Sequence, residues 1–89
     1  MKVIHQDWSV DLEHNEYEYD KNLIIVDGIK AVEETAPGYY VNLVTASNFG
    51  NPDEYLTPLL IERFGKTIET KFIDQCGCGG YVLRVWKLK

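Results

Sequence analysis

Cys76 and Cys78 stand with Gly77, Gly79 and Gly80 in five consecutive residues, and they are the two cysteines of the chain. Thiols are the softest nucleophiles and metal ligands a protein has, and they react as thiolates. Glycine beside them lets the backbone turn with positive φ and lets another molecule approach closely. Such a pair can close a disulfide, hold a metal or transferable sulfur, or be modified at sulfur. A bridge across one residue is awkward, because unstrained disulfides require particular Cα separations and a narrow torsion; once formed it would be easily reduced. Structural zinc takes four ligands, so two thiolates leave two positions open. His5 and His14 are the only histidines and neither has ligand spacing with the cysteines, so the reading gives no metal site within one chain. Two chains could pool Cys76 and Cys78 into four thiolates for zinc or an iron–sulfur cluster, which requires a symmetric homodimer with its axis near this segment. The plainer alternative is a glycine-rich hairpin tip in which cysteines happen to sit.

Nothing else in the chain completes a catalytic set. Neither cysteine has a histidine near it in sequence, no serine sits in a strand-turn-helix elbow, and there is no phosphate loop or dinucleotide fingerprint. The expectation is therefore a protein that is not an enzyme. A net charge of -5, with nine basic residues scattered along the chain, argues against nucleic acid as a partner. No apolar run approaches the roughly 18 residues of a membrane span and no signal segment opens the sequence, so the expected location is the cytoplasm, where thiols stay reduced. At 89 residues the expectation is one domain, 1–89.

The elements that must position the thiols emerge from periodicity. Trp8 to Glu13 alternates apolar and polar residues, a strand with one buried face. His14 to Asp20 reads as a charged, solvated connection, with Asp20 capping the helix after it. Ile25, Ile29, Val32 and Ala36 share one face of a helix from Lys21 to Ala36, which Pro37-Gly38 ends. Tyr39 to Ala46 predicts a central strand, with Val41 and Leu43 on one face. Ser47 to Asp53 is a capped turn whose helix N-terminus could hold an anion, although its own Asn51 and Asp53 can satisfy those donors. Asn51-Pro52-Asp53-Glu54 opens a second helix carrying Leu56, Leu60 and Phe64, with Leu59 alongside; Pro58 kinks or delays it and Gly65 stops it. Thr67 to Asp74 and Tyr81 to Leu88 alternate again, and the cysteine segment joins them as a hairpin. The fold class is α+β, a two-layer sandwich in the order β-α-β-α-β-β, with two helices on one face of a four-stranded mixed sheet. Its topology resembles the sulfur-carrier and translation-initiation-factor C-terminal type of sandwich.

Cys76-Gly77-Cys78-Gly79-Gly80-Tyr81-Val82, followed by Arg84-Val85, resembles the signature of the CGCGG family of small proteins. Trp8-Ser9-Val10-Asp11-Leu12-Glu13 and Val41-Asn42-Leu43-Val44-Thr45, with Asn48 and Gly50 after them, extend the resemblance over most of the chain. The resemblance implies a ribosomally made protein, substrate of a radical S-adenosylmethionine (SAM) enzyme, with Cys76 and Cys78 as the modified residues and Gly77, Gly79 and Gly80 shaping their loop. Cys-Gly-Cys-Gly is also similar to the closing motif of A-type iron–sulfur carriers. That family uses a third, distant cysteine which this chain lacks.

Overall fold

The computed structural model describes residues 3–75 and 80–89. Alternation of apolar residues produces four strands, β1 (Trp8–Leu12), β2 (Tyr40–Thr45), β3 (Ile68–Gln75) and β4 (Tyr81–Lys87). They form one mixed sheet in the order β1-β2-β4-β3, with β1 parallel to β2 and the other two pairs antiparallel. Helix α1 (Lys21–Glu34) connects β1 to β2, and α2 (Pro52–Tyr55) and α3 (Thr57–Phe64) lie between β2 and β3. This is the expected α+β order, with the second helix broken in two. In an unbroken helix Pro58 would leave the Glu54 carbonyl without a donor and press its ring against it, and the chain breaks at Leu56 instead.

The inward residues of the sheet meet one face of the helices. Leu12, Val41, Leu43, Leu83 and Val85 from the strands join Ile24, Ala31, Val32, Leu56 and Leu60 in one buried cluster. Each of these larger side chains contributes about 1.5 to 3 kcal/mol by leaving water. On α1 the buried line runs through Ile24, Gly28, Ala31 and Val32, while the expected Ile25 and Ile29 only flank it. At Gly28 the helix lies close to the core: the space a Cβ would take there is 3.4 to 3.6 Å from the Leu56 and Leu43 methyls. Leu56 at the break and Leu60 on α3 are buried as expected, Phe64 is half-buried, and Leu59 is exposed.

Helix ends obey local chemistry. The Asp20 carboxylate accepts the Leu23 N–H at 3.2 Å and starts α1. The helix stops at Glu34, two residues before Ala36, because Thr35 turns extended and bridges to Ile4. The Thr35 hydroxyl donates to the Ala31 carbonyl and accepts from the Trp8 indole. Lys87 reaches over from β4 and donates to the Val32 and Thr35 carbonyls at 3.0 and 3.3 Å, a cation at the negative end of the helix. Gly65, at φ 59, ends α3. Among the described residues no helix is long and apolar enough to cross a membrane.

Candidate functional site at one edge of the sheet

Strand register brings together the chain segments that surround the cysteines. Leu12 pairs with Thr45, Thr45 with Tyr81, and Tyr81 with Gln75, so one row closes all four strands at the same edge. Glu13 and Ala46 leave β1 and β2 from this row, and Gln75 and Tyr81 are the strand ends between which the cysteine segment runs. A register shift between Phe72 and Asp74 bends β3 just before it. Cys76, Gly77, Cys78 and Gly79 lie outside the described residues.

Gly80 is described, and it is buried. Positive φ was the sequence-based expectation for the glycines here, but the positive-φ glycines of the described chain are Gly38, Gly50 and Gly65. Gly80 instead allows close approach. A Cβ on it would collide with the Glu13 carboxylate and lie 2.8 Å from the Thr45 carbonyl oxygen. What comes close to this backbone is the protein's own carboxylate.

Glu13 was expected on the polar side of the first strand. Its side chain is only 10% exposed, whereas those of Asp11 and His14 are 58% exposed. The chain leaves β1 at Leu12 and turns sharply: Asp11 Oδ1 accepts the Glu13 N–H at 2.9 Å, and Asp11 Oδ2 meets His14 Nδ1 at 2.7 Å. His14 Nε2 lies 3.8 Å from Glu13 Oε1. One ligand atom from each of Asp11, Glu13 and His14 can be chosen so that all lie within 4.8 Å of one another, a grouping able to hold a cation. The Asp11 hydrogen bond and charge raise the His14 pKa above its ordinary value. Burial pushes the Asp11 carboxyl up, but the His14 ring and the Glu13 N–H outweigh it, and its pKa falls below the ordinary value.

A polar hollow of about 140 Å³ opens here, lined by Glu13, His14, Glu18, Ser47, Asn48 and Gly80 among others. Asn48 ties its two walls together, its amide donating to the Glu18 carbonyl at 2.6 Å. The expected solvated connection is partly folded, a 3₁₀ turn over Asn15–Glu18. Tyr17 within it is half-buried because its hydroxyl donates to Asp27 on α1 at 2.6 Å, which together with burial pushes its pKa up to about 12. Behind the row, the Tyr55 hydroxyl is buried without a well-formed hydrogen bond among the described residues. Burial raises its pKa, and the neighbouring Thr45 offsets this only in part. Asn51 caps α2 by accepting the Asp53 N–H at 2.8 Å, so that helix start serves its own donors.

Sequence reasoning placed His14 apart from the cysteine segment and gave Glu13 no contact with it. The contact between Glu13 and Gly80 spans most of the chain, and only the β1-β2-β4 order could have revealed it. A larger, apolar groove of about 510 Å³ lies between α1 and α3, lined by Ile25, Ile29, Leu59, Glu62 and Arg63. It contains no thiol and lies away from this edge.

No curated protein and no solved structure matches the chain. Residues 1–87 match the family described as "Putative radical SAM target protein". That match covers nearly the whole sequence, from the first strand through the cysteine segment to the last strand, and the chain belongs to this family.

Proposed function

We propose that this chain is a non-enzymatic protein substrate that offers Cys76 and Cys78 to a radical SAM enzyme in the cytoplasm. The observation that carries the reading is the family match over residues 1–87, whose description names a target of such an enzyme and not the enzyme itself. Both thiols of the chain fall in one five-residue segment, and Gln75 and Tyr81 on either side of it are paired neighbours at one sheet edge. The folded body serves as the recognition element. Glycine at positions 77 and 79 adds no side chain beside the thiols, so another protein's active site can approach them closely.

The modification fitting this chemistry is a thioether from cysteine sulfur to a nearby carbon. Forming each S–C bond removes one S–H and one C–H hydrogen, with the two electrons leaving through the radical enzyme. Protein produced together with its partner enzyme should weigh less by about two hydrogens per link, and the corresponding thiol should no longer alkylate. An unchanged mass with two alkylatable thiols, in the presence of active enzyme, overturns the reading.

A carrier of zinc, an iron–sulfur cluster or sulfur is the competing reading, and one observation favours it. Asp11, Glu13 and His14 supply further donors near Gly80, so a mixed site would not need a dimer. It requires metal or persulfide in protein purified without oxygen, lost in Cys76→Ser.

A further inference from the structure

We propose that the open face of the sheet docks a protein partner through a carboxylate of that partner seated between Arg84 and Lys71. The helices pack on the side of the sheet that carries Val41, Leu43, Leu83 and Val85. Side chains alternate along a strand, so Tyr40, Asn42, Arg84 and Trp86 stand on the other side, with Lys71 from β3 beside them. Tyr, Trp and Arg are the types in which protein interfaces concentrate their binding energy. Arg84 is set in place for such a contact. Its Nε donates to Asn42 Oδ1 at 2.9 Å, and its guanidinium lies 4.2 Å from the centre of the Tyr40 ring and 5.8 Å from that of Trp86. Its two terminal nitrogens have no hydrogen-bond acceptor among the described residues.

The charge on this face sets the chemistry of the partner. Lys71 and Arg84 are direct partners in the β3-β4 register, and like charges in opposite positions repel. Acidic residues outnumber basic ones in this chain by 14 to nine, yet neither cation has an ion pair among the described residues. Two carboxylates share the face. Asp11 is already held by His14, and Glu69, opposite Trp86, pairs with neither cation. A carboxylate brought by a partner meets the guanidinium fork in the two-point geometry that suits it, and relieves the repulsion with Lys71. A nucleic-acid strand fits less well, because the net charge of -5 repels it and Arg84 covers the Tyr40 face on which a base would stack. The identity of the partner rests on the reading that this chain is the substrate of a radical SAM enzyme. Arg84 lies three residues from Tyr81 along β4, about 10 Å, so a protein seated here borders the sheet end where Gln75 and Tyr81 pair. The docked protein is therefore that enzyme, presenting an acidic surface.

The test titrates the full chain with the radical SAM enzyme by calorimetry, without SAM, so that no modification takes place. Arg84→Gln should weaken binding about thirtyfold, as loss of a central anchor does, and Arg84→Lys should recover only part of it, having the charge without the fork. Lys71→Gln should weaken it about threefold and Lys71→Glu more. Lys71 is exposed, so these variants keep the test standing if Arg84→Gln folds poorly. Lys30→Gln removes an exposed cation from α1 and should leave binding unchanged. Affinity equal to wild type in the folded Arg84 and Lys71 variants, an equal loss in Lys30→Gln, or no binding of the wild-type chain overturns the proposal. So does a single-stranded oligonucleotide that binds through the same two residues. Because no thiol reacts in this titration, its result is separate from that of the mass experiment. Binding lost in Arg84→Gln stands even where no mass change occurs, and a mass change with affinity unaltered strikes the docking face alone.

Discussion

Gly28 and Gly80 are the two buried glycines among the described residues, and they are buried for opposite reasons. A Cβ on Gly28 would meet only the flexible ends of Leu56 and Leu43, at 3.4 and 3.6 Å, which is ordinary contact. On Gly80 it would meet backbone and a carboxylate at distances no real Cβ shows. In the body of the fold, glycine is one of several residues the packing could accept. At the root of the cysteine segment the packing demands it. The end of the sheet at which Gln75 and Tyr81 pair is thus built to tighter tolerance than the helix layer that supports it.

The contrast breaks most sharply at Gly80→Ala. The Thr45 carbonyl belongs to a central strand and cannot step aside cheaply, so the substitution should cost about 2 kcal/mol and lower Tm by roughly 10 °C. Removing the other obstacle should recover part of this: Glu13→Ala ought to cost less in the Gly80→Ala background than in wild type. A Gly80→Ala protein as stable as wild type, or strict additivity in this cycle, would contradict the tight fit at Gly80.

Gly28→Ala should act with the opposite sign. The residue lies in the interior of α1, where alanine is favoured over glycine by about 1 kcal/mol, and the added methyl finds ordinary contacts with side chains that can adjust. A gain of about 0.5 kcal/mol, read as a Tm increase of a few degrees, is expected. A loss comparable to that at Gly80 would mean that the helix layer is as tightly fitted as the sheet edge.

The body was the legible part of the sequence. Alternation in Trp8 to Leu12, Tyr40 to Thr45 and the last two strands, the Asp20 and Asn51 caps, and the Gly65 stop all depend on residues within a few positions of one another. The details that escaped it were governed by tertiary contact. The face of α1 is set by what the sheet and α2 present to Ile24, Gly28, Ala31 and Val32, and its end is drawn back to Glu34 by the bridge between Thr35 and Ile4. Pro58 was recognised as a disruption, and its effect is the break at Leu56. The candidate site was legible only in its cysteines and glycines, which announce themselves by type. Glu13 and His14 carry no such mark: each resembles any member of an acidic, solvated run until strand order brings Thr45 and Tyr81 beside Leu12.

The smallest expected effect lies in the Asp11–His14 pair beside the Glu13 turn, and its pH dependence has a definite sign. His14 has its pKa raised in the folded protein, so its contribution is fully present below its ordinary value of 6.5 and is lost as pH rises through the raised one. Asp11 has its pKa lowered, so its contribution is present above 3.8 and is lost as pH falls through the lowered value. The pair therefore supports the turn most strongly between about pH 4 and 6.5, and both partners are exposed enough for salt to weaken it. His14→Gln should lower Tm slightly within that window and leave it unchanged above about pH 9, where the wild-type ring is neutral too. In about 1 M salt the difference should shrink. An offset of the same size at every pH would show that His14 supports the Glu13 turn by shape alone.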